Sequence, residues 1–228
     1  MGQKTNAVEL RLGIQASNAN WYASQNDYAQ LLEQDMHARF YLEKHAADAL
    51  LTDTLIERNG DVVRFIISCA KPGVITGKGG AGIQELHSGL QKYLVKKCDF
   101  KGKIKLIVKE EKKSLPHAKL IAASIAKQIS SRVNPKKAMK REIERTYRVA
   151  SIKGIKIIVS GRIGGADIAR SEKQQIGRVP LHTLKANIQY CSTTAQTTYG
   201  IMGIKVWLFI EDNQDIKASK ESQNATTS

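Results

Sequence analysis

The chain has 228 residues, 42% of them apolar, enough for a real core in one large or two small domains. Lys and Arg total 36 against 21 Asp and Glu, a net charge of +15 that points to a polyanionic partner, most often nucleic acid. Cys69, Cys98 and Cys191 are far apart, C-x-x-C is absent, the five histidines are scattered and no run nears the roughly 18 apolar residues of a membrane helix. These features argue against a paired disulfide framework, a spaced zinc site and a membrane partner.

The charge is uneven. Residues 1–50 carry net −2, residues 51–110 net +5, residues 111–162 net +11 and residues 163–228 net +1. One stretch therefore holds most of the excess, as a binding surface would. The opening MGQKTNAVELRLG lacks the apolar region of a signal peptide. The thiols fit a reducing compartment, and the chain reads as soluble and intracellular.

In chain order, residues 1–16 read as a polar, basic arm. Residues 27–50 have helical periodicity, with Tyr28, Leu31, Leu32, Met36, Phe40, Leu42 and Ala46 approximating one face and Asp27 able to cap the start. LIERNGDVVRFIIS (55–68) is two strand-like runs around Asn59-Gly60, a strong hairpin signal. Pro72-Gly73 and a short apolar run lead to the glycine cluster. Residues 83–95 read as a helix and KIKLIV (103–108) as a half-buried strand. A second unit follows. Residues 114–132 suit a packed helix, and residues 136–150 suit another, with Asn134 as N-cap and Pro135 in the first turn. Strands are expected from Gly154 through IKIIVSG, at 185–192 and at 203–210. Everything after Glu211 is polar and reads as a disordered tail.

The segment VITGKGGAGIQEL (74–86) admits two readings. Gly77, Gly79 and Gly82 spell the dinucleotide fingerprint G-x-G-x-x-G; Gly77 and Gly80 spell the G-x-x-G clamp of a KH module. A dinucleotide loop follows its strand directly, and an acidic residue ends the next strand. Here Pro72-Gly73 intervenes, and Asp99 precedes KIKLIV instead of ending it. The order helix, strand, strand, short helix, GKGG, helix, strand fits a type II KH module. In that reading Lys71, Gly77, Lys78, Gly79 and Gly80 meet RNA, the glycines letting backbone approach phosphate.

In PKKAMKREIERTYR (135–148), Lys136, Lys137, Lys140, Arg141, Arg145 and Arg148 supply a solvent-facing cationic surface. Met139, Ile143 and Tyr147 turn another way to dock, and Glu142 and Glu144 dilute the charge in part. GRIGGADIAR (161–170) sets Arg162 and Arg170 around Gly164-Gly165. Such a loop can bind phosphate or merely connect strands, and the pattern leaves both open.

MGQK and RLGI at the start, KPGVITGKGG, PKKAMKR, SGRIGGADIARSE, GRVPLHTL and TTYGIMGIKVW together resemble the small-subunit ribosomal protein three family, of bacterial or organellar type, in family order over residues 1–210. The resemblance implies an α+β chain: arm 1–16, a type II KH domain over 17–110 with a three-stranded sheet, and a second α/β domain over 111–210 with two helices on a mixed four-stranded sheet. It implies ribosomal RNA, messenger RNA and neighbouring small-subunit ribosomal proteins as partners, no homo-oligomer, and a ribosome of the bacterial cytoplasm or of an organelle. In this family basic residues of the second domain's helix contact incoming messenger; those positions fall on Lys136, Lys137 and Lys140. Lys4, Arg11 and Arg178, within the quoted motifs, complete the expected RNA contacts.

The chain departs from the family at Asn6-Ala7, near which His-Pro is usual, and at Lys136 and Lys137, where arginine is common. Lysine keeps the charge and loses the planar fork. No Walker lysine motif, paired carboxylates, nucleophilic triad or cofactor motif stands out, so no enzyme, cofactor or metal is expected. The rival readings are a free KH regulator outside the ribosome and a dinucleotide oxidoreductase.

Overall fold

The computed structural model describes residues 4–14, 19–60, 62–98, 100, 102–110, 116–149 and 152–210. The chain divides into two compact units. One is Ala16–Lys113; the other takes in the described residues of Met1–Gln15 and Ser114–Ser228. The expected arm is thus part of the second unit, and the expected tail lies outside the described residues.

The first unit runs β1 (Ala19–Asn20), α1 (Tyr28–His45), β2 (Leu51–Asn59), β3 (Val62–Cys69), α2 (Pro72–Thr76), α3 (Ala81–Cys98) and β4 (Lys103–Glu110). The strands form one sheet in the order β1-β2-β3-β4. Strands β2 and β3 pair antiparallel, while β1–β2 and β3–β4 are parallel. Gly60 takes a left-handed φ of +56° after Asn59, which pairs with Val62. The two-residue β1 was not legible and makes the expected three-stranded sheet four-stranded.

Ala38 and Leu42 of α1 and Leu90 and Leu94 of α3 pack with Ile56, Val63, Phe65 and Ile67 of the sheet. The expected face of α1 is corrected. Leu42 and Ala46 are buried as expected, but Tyr28, Leu32, Met36 and Phe40 are exposed, and Asp35 and Ala38 are buried in their place. A buried ion pair explains this. The Arg58 guanidinium donates to Asp35 Oδ1 and Trp21 Nε1 donates to Asp35 Oδ2. Apolar periodicity cannot register a carboxylate turned inward. Asp27 also does not cap α1; its carboxylate accepts from Ser24 Oγ.

The second unit runs α4 (Ala118–Ser130), α5 (Pro135–Tyr147), β5 (Ile152–Gly161), β6 (Arg170–Gly177), β7 (Ile188–Thr197) and β8 (Gly200–Ile210). Its sheet has the order β6-β5-β8-β7. Every pairing is antiparallel, which corrects the expected mixed sheet. Strand β6 was unforeseen because it is a largely exposed, charged edge strand without apolar alternation.

Strand β8 is central and covered on both faces, hence its near-continuous apolar run. Ile204, Val206 and Leu208 join Ile155, Ile157 and Val159 of β5 against Ile121, Ile125 and Ile129 of α4 and Met139 and Ile143 of α5. Trp207 and Phe209 point the other way and meet Ile188 and Ala7. The N-terminal segment thus covers the sheet face that the helices leave bare.

Candidate nucleic-acid interface

In the first unit, α2 and α3 meet at the GKGG turn. Gly77 takes φ +66°, Gly79 +63° and Gly80 +83°, so the backbone needs glycine-like freedom there. Open space surrounds the Cα of Gly79 and Gly80. Lys71 and Lys78 are exposed beside the turn. Gly82 has a different reason: a Cβ there would come within 2.5 Å of the Ile75 carbonyl oxygen. The third glycine of the fingerprint serves the contact between α2 and α3.

In the second unit, Asn134 caps α5, its Oδ1 accepting from the Lys136 N–H at 3.0 Å, and Pro135 sits in the first turn. The buried positions of α5 are Pro135, Ala138, Met139, Glu142, Ile143 and Thr146. Tyr147, expected to dock, is exposed, and Thr146 takes its place. Glu142 also faces inward, its Oε1 accepting from Ser124 Oγ at 2.8 Å and Gln128 Nε2 at 2.7 Å. It therefore does not dilute the outer face. Lys136, Lys137, Lys140, Arg141, Arg145 and Arg148 are all exposed. Two of the six have acidic neighbours: Lys140 Nζ lies 3.9 Å from Glu144, and Lys136 Nζ lies 3.6 Å from Glu172 of β6.

The tertiary structure brings Lys136 together with the GRIGG loop. A cavity of about 1000 Å³ is lined by Lys136, Arg162, Gly164, Gly165 and Arg170, all foreseen, and by Arg132, Glu172 and Tyr199, which were not. Arg162 donates to the Ala166 carbonyl at 2.8 Å and to Asp167 at 3.0 Å, and Arg170 lies 3.4 Å from the Glu172 carboxylate that Lys136 also approaches. Four cations and one carboxylate leave the lining with net charge +3. Arg132 lies in the turn between α4 and α5, four residues before Lys136, whereas Tyr199 reaches the cavity from the distant turn between β7 and β8, which no local signal could have nominated. Arg178 and Lys4 are exposed elsewhere on this unit. Burial, with Lys4 and Lys173 nearby, holds the Lys156 ammonium below the ordinary lysine range, and Lys156 sits 5.0 Å from the Trp207 ring.

Arg11 requires correction. Its side chain is fully buried. Its guanidinium donates to the carbonyls of Ala7 at 2.8 Å, Ala186 at 3.0 Å, Thr183 at 3.0 Å and Leu181 at 3.1 Å. Those bonds pin the N-terminal segment to the 180–186 loop, and burial lowers its pKa. A phosphate cannot reach it. Asn6 closes the same segment, accepting from the Val8 N–H and donating to Glu9.

In the first unit the ligand atoms of Glu33, His37 and Cys98 lie within 4.8 Å of one another, a grouping that residue spacing does not reveal. Three donors are fewer than the four of a structural zinc site. Among the described residues, no helix is long and apolar enough to cross a membrane.

Two family models match the chain: "KH domain" over residues 39–114 and "Ribosomal protein S3, C-terminal domain" over residues 125–208. Among curated relatives, a protein of Synechococcus sp. named small ribosomal subunit protein uS3 is 46% identical over 210 residues, 92% of this chain and 84% of the relative. Its namesake in Microcystis aeruginosa is 43% identical, covering 98% of this chain and 92% of its own length. The one in Coxiella burnetii is 43% identical, at 92% and 89%. With both units matched and relatives this similar along nearly its whole length, the chain belongs to the small ribosomal subunit protein uS3 family.

Proposed function

We propose that the chain is a structural, RNA-binding component of the small ribosomal subunit. It binds ribosomal RNA in the subunit head and lines the channel through which messenger RNA enters. The observation that carries the RNA reading is the outer face of α5, six exposed cations from which Glu142 is turned away. Membership of the uS3 family supplies the ribosomal setting.

The mechanism is passive. Lys136, Lys137 and Lys140 grip unpaired messenger through its phosphates, and the ribosome's own translocation supplies the work of opening structure. The chain itself catalyses no reaction. The GKGG turn presents backbone to a second stretch of RNA, and Arg162, Arg170 and Arg178 extend contacts on the second unit. Other proteins of the small subunit are its neighbours, and the ribosome is that of a bacterial cytoplasm or of an organelle.

Quantitative co-sedimentation at high magnesium tests this. The protein is expected in the small-subunit peak at one copy per subunit. Its absence from that peak, with RNA binding intact, would favour a free KH regulator instead.

A further inference from the structure

We propose that the cavity of the second unit seats one unpaired nucleotide of an RNA strand, with its base stacked on Tyr199 and its phosphate held by the cations of the rim. The inference rests on the RNA-binding reading and specifies one site within it. Tyr199 stands in the turn between β7 and β8, inside the TTYG motif, whose Thr197 and Gly200 close the hairpin, Thr197 Oγ1 donating to the Gly200 carbonyl at 2.7 Å. It is 58% exposed although it lines the cavity. Its ring lies against Gly165. A Cβ on Gly165 would come within 3.2 Å of it, so the ring rests against the backbone of the GRIGG loop. An exposed aromatic backed by a loop and set beside cations is the platform on which single-stranded RNA stacks a base.

The rest of the lining suits the rest of a nucleotide. Ile129, Val133, Ile163 and Met202 contribute apolar wall, and Arg132, Lys136, Arg162 and Arg170 contribute the charge. Glu172 lies near both Lys136 and Arg170, whereas Arg132 has no carboxylate partner among the described residues. Arg132 also closes α4 with φ +64°, a conformation glycine adopts more readily, and this turn carries its side chain at the cavity. A volume of about 1000 Å³ is at the upper end of small-ligand sites and accommodates a nucleotide with water. A paired base is already stacked in its duplex, so the occupant is an unpaired or extruded one.

The test uses the full chain and a single-stranded RNA of about 12 nucleotides carrying one 2-aminopurine. Wild-type protein is expected to quench the 2-aminopurine on binding. Tyr199→Ala should abolish the quench and weaken affinity by roughly tenfold, while Tyr199→Phe retains both. The salt dependence of Tyr199→Ala should match wild type, because no phosphate contact is removed. Unchanged quench and affinity in Tyr199→Ala, with wild type binding RNA normally, would overturn this inference alone. If wild type failed to bind RNA, the wider reading would fall with it. AMP binding as tightly as the oligonucleotide would overturn the assignment to a strand in favour of a free nucleotide.

Discussion

Replacing Lys136, Lys137 and Lys140 together by alanine separates a phosphate-gripping helix from a merely solvated one. All three side chains are exposed, and Met139 and Ile143, which hold α5 to the sheet, are untouched. Stability should change by no more than about 0.5 kcal/mol. Each lost phosphate contact on single-stranded RNA lowers the slope of log affinity against log salt by about 0.7, so three contacts remove about 2.1. Between 50 and 200 mM salt, wild type should then lose roughly 20-fold more affinity than the variant. Filter binding across that range, with circular dichroism as a folding control, measures both. The tertiary structure also orders the single changes. Lys136 has Glu172 at 3.6 Å and Lys140 has Glu144 at 3.9 Å, so Lys137→Ala should cost most. An unchanged slope in the triple variant would refute the reasoning and assign these lysines to solvent.

Three further outcomes are expected. Gly79→Asp should weaken RNA binding roughly tenfold through its charge and cost about 1 kcal/mol of stability, since the site has open space and φ +63°; global unfolding by circular dichroism would make the turn a packing element. Arg11→Ala should destabilise the second unit by about 3 kcal/mol or more in urea titration, because the carbonyls it satisfies lose their donor, with RNA affinity per folded molecule unchanged. Lys156→Met should stabilise the second unit at neutral pH. Its folded pKa is lowered by burial, so the unfolded chain holds the proton more tightly and wild-type stability rises with pH from the folded pKa up to the unfolded lysine value. The advantage of the variant should therefore shrink through that window, and a pH-independent difference would contradict the argument.

Local signals in the sequence determined most of the elements. Asn59-Gly60, the 3.6-residue periods of α4 and α5, the Asn134-Pro135 start and the glycine-rich turn each act within a few residues. The cationic face of α5 was legible for the same reason, since charges at helical spacing declare a side whatever lies beneath. Features that depend on distant partners were not legible. Asp35 and Glu142 look like surface carboxylates until Arg58, Trp21, Ser124 and Gln128 are seen around them. Arg11 looks like a phosphate contact until the loop at 180–186 closes over it. Strand β6 has no apolar alternation and exists because β5 offers it an edge. The cavity joins α5, the GRIGG loop and Tyr199 from separate parts of the chain. Composition and periodicity thus determined a chain of mixed helices and strands with a polyanionic partner, and the GKGG turn in its element order narrowed that partner to RNA, whereas tertiary packing decided which charges face the solvent and which hold the fold, because burial and pairing are set by neighbours remote in sequence.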